Sequence, residues 1–273
     1  MVQGFYTKPT MDLATLKLFK SIPDGLIHGR PSYVTGQWER TQWQTFKSVE
    51  QGPCVCFGIL RGTGEIIREC QDKGVDFYYG DHSYIFTDTF KKEKSYRITK
   101  NNFQVNKMQE LTKNEIARAE KIKNNNINPA PWKERTGHYI LVCPPSKYVT
   151  KYFLDDKDWL AETEKVLMEN TDRPIKVRTK DTQTPLDKDI SHAHAVVTYN
   201  STVAIHAILN GVPVFCDGVS VSNPVSSSNF ANIETPFYPE NRVEWLNWVL
   251  SNQFTFEEMS NGYAWSKLND KVS

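Results

Sequence analysis

The stretch Ala195-Val-Val-Thr-Tyr-Asn-Ser-Thr-Val-Ala-Ile-His-Ala-Ile-Leu-Asn-Gly-Val-Pro-Val-Phe-Cys216 decides the fold. Ala195 to Thr198 is a short apolar, β-branched run of the kind that forms a buried parallel strand, and Val203, Ala204, Ala207 and Ile208 then recur at helical spacing. Between them lies a polar turn in which Asn200 or Ser201 is expected to cap the helix. Gly211 stops that helix where a left-handed residue is favoured, and Val212 to Phe215 resume a strand. The stretch therefore reads as a right-handed βαβ crossover. The first N–H groups of a helix lack intrahelical partners, so with the side chains of Asn200, Ser201 and Thr202 they suit a diphosphate. The plainer alternative is that Asn-Ser-Thr only caps the helix.

Working upstream, His138 to Cys143 is a strand, Pro144 to Lys147 a turn, Trp159 to Met168 a helix and Pro174 to Arg178 a strand. A short segment from Leu186 to Ile190 leads into the opening unit. Three strands with helical crossovers make this half doubly wound. Ser146 and Lys147 follow the first strand, Arg178 and Lys180 the second, and Thr198, Asn200, Ser201 and Thr202 the third. Open α/β sheets gather ligands at the carboxyl ends of their strands, so these are the candidate ligand-binding residues of this half.

The opening half contains a second unit of the same kind. Cys54 to Leu60 is a strand, Arg61-Gly-Thr-Gly64 a tight turn, Glu65 to Lys73 a helix ended by Gly74, and Val75 to Tyr79 a strand. That strand delivers Gly80-Asp-His-Ser-Tyr84 at its carboxyl end. Burial in a partly dry cleft raises a carboxyl pKa toward neutrality, which makes Asp81 a candidate general base, with His82 as the alternative base and Asp81 as its orienter. Asp81 also reads as a residue that fixes the turn. Arg61, Gly62, Thr63 and Gly64 are candidates for meeting an acceptor. Asp12 to Phe19 reads as a further short helix.

Charge is informative only locally. Over 273 residues, 33 Lys plus Arg oppose 32 Asp plus Glu, so a net charge of +1 gives no global case for a polyanion partner. From Lys91 to Lys123, however, ten Lys or Arg face four Glu. That segment reads either as a solvated helix face and loop, or as a phosphate-contacting surface in which Lys91, Lys92, Lys94 and Arg97 meet an acceptor. Residues 124 to 132 are polar, bear prolines and lack periodicity, as an interdomain linker does. The expected division is a first domain over 1–127, a second, carrying the diphosphate-suited turn, over 128–250, and a helical tail over 251–273 that packs back toward the first.

A hydrophobic fraction of 39% is enough for real cores in a soluble protein. No run approaches a membrane span and the N-terminus lacks signal-peptide regions, so no membrane partner and a cytoplasmic location are expected. Five cysteines, most of them in apolar runs, read as reduced core thiols. Asp156-Lys-Asp158 and Asp187-Lys-Asp189 match a cation-holding pattern but read better as helix caps, and His192 and His194 lack nearby ligands. No metal and no resident cofactor are expected.

Two doubly wound halves joined by a linker resemble the GT-B glycosyltransferases, in which two facing Rossmann-like domains enclose a cleft. The segments carrying a narrower resemblance are Gly58 to Gly64, Phe77 to Tyr84, Tyr139 to Pro145, Thr171 to Pro174, Val196 to Thr202, and Asn252 to Thr255 through Gly262 to Trp265. On these the chain resembles bacteriophage enzymes that glycosylate modified cytosine, including the glucosyl- and arabinosyltransferases of T4-like phages. The resemblance implies a UDP-sugar donor held without metal by fixed dipoles and basic side chains. It further implies a duplex DNA acceptor bearing 5-hydroxymethylcytosine, in the cytoplasm of an infected bacterial host. The Thr-Tyr-Asn-Ser-Thr turn also resembles capsule and lipopolysaccharide transferases, which makes a surface glycan or lipid-linked sugar the alternative acceptor. A nucleotide- or DNA-binding protein without catalysis is the remaining alternative.

Overall fold

A computed structural model describes residues 3–5, 53–59, 63–85, 95–123, 127–134 and 137–269. The chain divides into two compact units, one formed by Met1–Phe103 with Asn252–Ser273 and the other by Gln104–Ser251.

The first unit contains strands β1 (Gln3–Phe5), β2 (Cys54–Phe57), β3 (Phe77–His82) and β4 (Ser95–Lys100), with helix α1 (Thr63–Lys73) between β2 and β3. Gly58 leaves β2 at φ +68, and the Thr63 hydroxyl donates to its carbonyl at 2.8 Å, closing the turn into α1. Ile66, Ile67 and Cys70 are the buried stripe of that helix. β1, β2 and β3 run parallel, whereas β4 lies antiparallel to β3. This half is thus a mixed sheet rather than the doubly wound one expected. The cause is local: Ser95-Tyr-Arg-Ile-Thr-Lys100 buries Ser95, Ile98 and Thr99, so part of the supposed basic helix face is a strand.

The second unit is built on an all-parallel sheet. Its elements are helix α2 (Lys113–Lys123), strand β5 (Tyr139–Cys143), helices α3 (Lys147–Phe153) and α4 (Trp159–Asn170), strand β6 (Ile175–Val177), helix α5 (Leu186–Ser191), strand β7 (Ala193–Thr198), helix α6 (Val203–Leu209), strand β8 (Val214–Cys216) and helix α7 (Arg242–Ser251). The strand order is β6-β5-β7-β8. Every residue of β7 is buried, as a central parallel strand requires. Ile140, Val142, Ala195, Val197 and Phe215 share one core with Trp159 and Leu167 of α4. Truncating Leu167, fully buried there, is a change of the class that costs roughly 2–5 kcal/mol.

The expected linker is partly a packed strap. Ala130 N–H donates to Leu209 O at 2.9 Å and Lys133 N–H to Gly211 O at 2.7 Å, so residues 130–133 lie against the end of α6. Arg242 is 9% exposed, donates Nη1 to the carbonyls of Ala130 and Ile208, and sits 3.7 Å from the centre of the Trp132 ring. Helix α2 packs on α7. For these reasons the division falls after Phe103, whereas the sequence suggested 127.

The chain then returns to the first unit through strand β9 (Gln253–Thr255), antiparallel to β4, and helices α8 (Phe256–Ser260) and α9 (Tyr263–Asn269). Within the helical tail expected over 251–273, the described residues thus form a strand and two short helices. Thr255 and Glu258 form a capping box that starts α8, and Gly262 at φ +86 separates it from α9. The Gln253 side chain exchanges two hydrogen bonds with the backbone of Ile85, at 3.0 and 2.9 Å. All five cysteines are buried thiols outside any disulfide. Burial pushes the Cys143 thiol up to about 12.

Candidate functional site

Parallel strands release all their carboxyl ends along one edge. In the order β6-β5-β7-β8 the connections leave β5 in one direction and β7 in the other, so the switch point lies between β5 and β7. Two loops flank it: Pro144 to Ser146 after β5, and Tyr199 to Thr202 after β7. The last paired residues, Cys143, Thr198 and Cys216, align across three strands and set both loops at one level.

The β7 loop differs from expectation in how its N–H groups are used. Thr202, not Asn200 or Ser201, occupies the cap position, and its side chain makes no capping bond. The first turn is wound tightly, with Ala204 N–H on Ser201 O and Ile205 N–H on Thr202 O, so the cap shifts by a residue. Ser201 N–H is taken by the Thr198 hydroxyl at 3.3 Å, and Val203 N–H by the Ser201 hydroxyl at 3.3 Å. Thr198 is fully buried and donates to Cys143 O at 2.8 Å, bracing β7 against β5. Thr198 and Ser201 therefore shape the loop. Among the described residues, the N–H groups and side chains of Asn200 and Thr202 carry no hydrogen bond, and they are the donors this turn presents.

The neighbouring strand ends divide in the same way. Ser146 caps α3 by accepting from Val149 N–H at 3.4 Å, and Lys147 is an exposed cation near the Tyr148 ring. Arg178 extends the β6 ladder, its N–H on Val142 O at 2.8 Å, and its guanidinium pairs with Asp189. Asp189 is 1% exposed and also accepts from Lys176 at 2.6 Å and from Thr184 at 2.7 Å. Burial alone would raise its pKa, but the hydrogen bonds from Lys176, Thr184 and Arg178 outweigh that and hold it below the usual Asp range. Arg178 is thus committed to a buried carboxylate, while Lys180 lies exposed in the following turn. Asp158 caps α4, accepting from Ala161 N–H at 3.1 Å.

A polar loop that the sequence did not single out completes this edge. After β8, Gly218 N–H donates to Tyr199 O at 2.7 Å, and a Cβ on Gly218 would fall 2.8 Å from the Tyr199 ring. A side chain there would require the Tyr199 ring to move. Trp159 Nε1 donates to Asp217 at 3.0 Å, and the buried hydroxyls of Ser220 and Ser222 are 2.9 Å apart. The opposite, amino edge of the sheet carries His192 and His194. The His192 ring stacks on His138 at 6.3 Å, and buried His194 meets Ile233 O through Nε2 at 3.1 Å. Among the described residues no cluster of three or more His, Cys, Asp or Glu is placed to hold a metal.

In the first unit, Asp81 and His82 end β3 as expected. Asp81 is directly opposite Arg97 in the register and accepts from it at 2.8 Å; the same oxygen accepts from the Tyr79 hydroxyl at 2.7 Å. His82 is exposed and lies among Phe57 and Tyr96, with ring centres 6.1 and 6.2 Å away. Thr63 and Gly64 are buried at the start of α1. Arg61, Gly62, Lys91, Lys92 and Lys94 lie outside the described residues. Of the basic run, Arg97 pairs with Asp81, Lys100 with Asp76 at 3.0 Å and Lys123 with Glu120 at 2.7 Å, and Arg118 donates to Leu250 O at 3.0 Å.

The class defined by this architecture is a mixed α/β protein with one mixed and one all-parallel sheet. The chain is similar to the Thermosulfurimonas dismutans KpsC beta Kdo 2,7 transferase, with a TM-score of 0.51 and 13% identity over 98% of this chain and 99% of that one. It is also similar to the beta Kdo 2,4 transferase of the same KpsC, with a TM-score of 0.49 and 12% identity over 92% and 90% of the two chains. The likeness to the 2,7 transferase is one of fold. No family model and no curated protein sequence matches the chain.

Proposed function

We propose that the protein is a glycosyltransferase that holds a nucleotide-activated sugar at the carboxyl edge of the β6-β5-β7-β8 sheet and passes the sugar to a glycan or lipid-linked acceptor. What supports this reading is the switch point: the loops after β5 and β7, which carry Ser146 and Lys147, and Asn200 and Thr202, leave adjacent parallel strands at the same level of the sheet. Leaving of the sugar develops negative charge on the phosphate, and fixed donors stabilise that charge without reorganising. No metal step is required in this scheme. The acceptor hydroxyl must also lose its proton to a general base.

Two considerations favour a glycan over hydroxymethylcytosine in DNA. The solved structure of like fold is named for Kdo transfer. In addition, Arg97, Lys100, Arg118 and Lys123 bond to groups within the protein, which leaves Lys107, Lys113 and Lys121 as the exposed cations of the described part of the basic run, few for an extended phosphate track. Incubation with UDP-, GDP- and CMP-linked sugars, and in parallel with bacterial surface oligosaccharides or hydroxymethylcytosine DNA, tests the reading by mass spectrometry. A sugar increment on the oligosaccharide is expected. An increment on the nucleoside alone would return the acceptor to DNA, and neither increment nor nucleotide release with any donor would end the enzymatic reading.

A further inference from the structure

We infer that Gln104 is the positioning residue that fixes the geometry of the donor crevice, an inference that rests on the donor site proposed above. Gln104 is 5% exposed and precedes every strand of its unit. Its amide works in both directions: Nε2 donates to Asn200 O at 2.8 Å, and Oε1 accepts from Val221 N–H at 3.1 Å. One side chain therefore ties the loop after β7 to the loop after β8.

The consequence for Asn200 follows from the planarity of the peptide bond. The carbonyl of the Asn200–Ser201 peptide is held by Gln104, and its N–H is held by the Thr198 hydroxyl. With both ends of that plane pinned, the neighbouring Asn200 and Thr202 groups are set in place before any ligand arrives. Val221 is likewise fixed from both sides, since its carbonyl accepts from Trp245 Nε1 at 2.8 Å. Gln104 acts through Asn200 and touches no ligand itself. Pre-organised donors lose little freedom on binding, so loosening them lowers affinity without removing a contact.

The test compares Gln104→Met, which keeps the volume and removes both hydrogen bonds, with Gln104→Glu. Nucleotide binding is measured by titration calorimetry with UDP and CMP, and hydrogen exchange reads protection at the Val221 amide. For Gln104→Met, affinity weaker by roughly tenfold is expected, with faster exchange at Val221. An ionised carboxyl at this place repels Asn200 O and opposes the phosphates, so Gln104→Glu binds more weakly still at pH 8. Protonated, the same carboxyl donates to Asn200 O and accepts from Val221 N–H, so its affinity relative to wild type recovers as the pH falls toward 5. A merely structural role would produce no such recovery. Wild-type affinity in both variants, or a loss that stays constant with pH in Gln104→Glu, overturns the assignment to Gln104. Absence of UDP and CMP binding by the wild-type protein overturns the donor site first, and with it this inference.

Discussion

Replacing Gly211 by alanine attacks the second unit where α6 ends, and its cost follows from two separate demands on that position. Gly211 has φ +74, and a side chain in the left-handed region costs about 1 kcal/mol. An added Cβ would also stand 2.0 Å from Pro131 O, closer than any real contact, so the strap over 130–133 must lift. Lifting it breaks Ala130 N–H to Leu209 O, Lys133 N–H to Gly211 O and Arg242 Nη1 to Ala130 O. Each contributes about 1 kcal/mol net, which brings the expected destabilisation to about 4 kcal/mol. In a unit of this size that corresponds to a fall in Tm of roughly 10 °C. Urea denaturation followed by tryptophan fluorescence is the assay, because Trp132 lies in the strap itself. A loss below about 1 kcal/mol would show that the strap does not depend on the glycine.

The other predictions concern the charged groups. Asp189→Asn removes the counter-charge of Arg178 and Lys176 and should cost about 3 kcal/mol, measured by chemical denaturation at pH 7. Because the folded-state pKa of Asp189 lies below its ordinary value of 3.8, its stabilisation is fully present above that value and is lost as the pH falls through the folded pKa. The acid limb of the stability curve should therefore be shallower in Asp189→Asn than in wild type; identical acid limbs would exclude this linkage. Asp81→Asn should cost about 2 kcal/mol by weakening the tie between β3 and β4, and leave nucleotide affinity unchanged. Unaltered stability in that variant would mean the Asp81–Arg97 pair contributes nothing to the sheet.

What was legible in the sequence was periodicity. The alternation of apolar run, polar turn and 3.6-residue spacing from Ala195 to Cys216 identified β7, α6 and β8, and Gly211 was readable as a stop because helices end in the left-handed region. Its second role, making room for Pro131, is a contact between distant segments and leaves no mark on local pattern. The same holds for Asp189: the pattern Asp-Lys-Asp suggested a cap, whereas its partners come from β6 and from Thr184. At Ser95 to Lys100 the strand residues are embedded in a run of charges, which masks their pattern at the level of local sequence. The strand ends of the second sheet were legible as such. How their groups are shared was not, since Thr198 and Ser201 bond within the β7 loop, and Gln104, which ties that loop to the next, lies in a stretch without any motif.

A nucleotide sugar held between the β5 and β7 loops would be detected by amide chemical-shift mapping on titration with UDP and CMP. Saturable shifts are expected at Ser146, Lys147, Asn200 and Thr202 with at least one of the two. Shifts confined to the amino edge around His138 and His192, or none with either nucleotide, would contradict this placement.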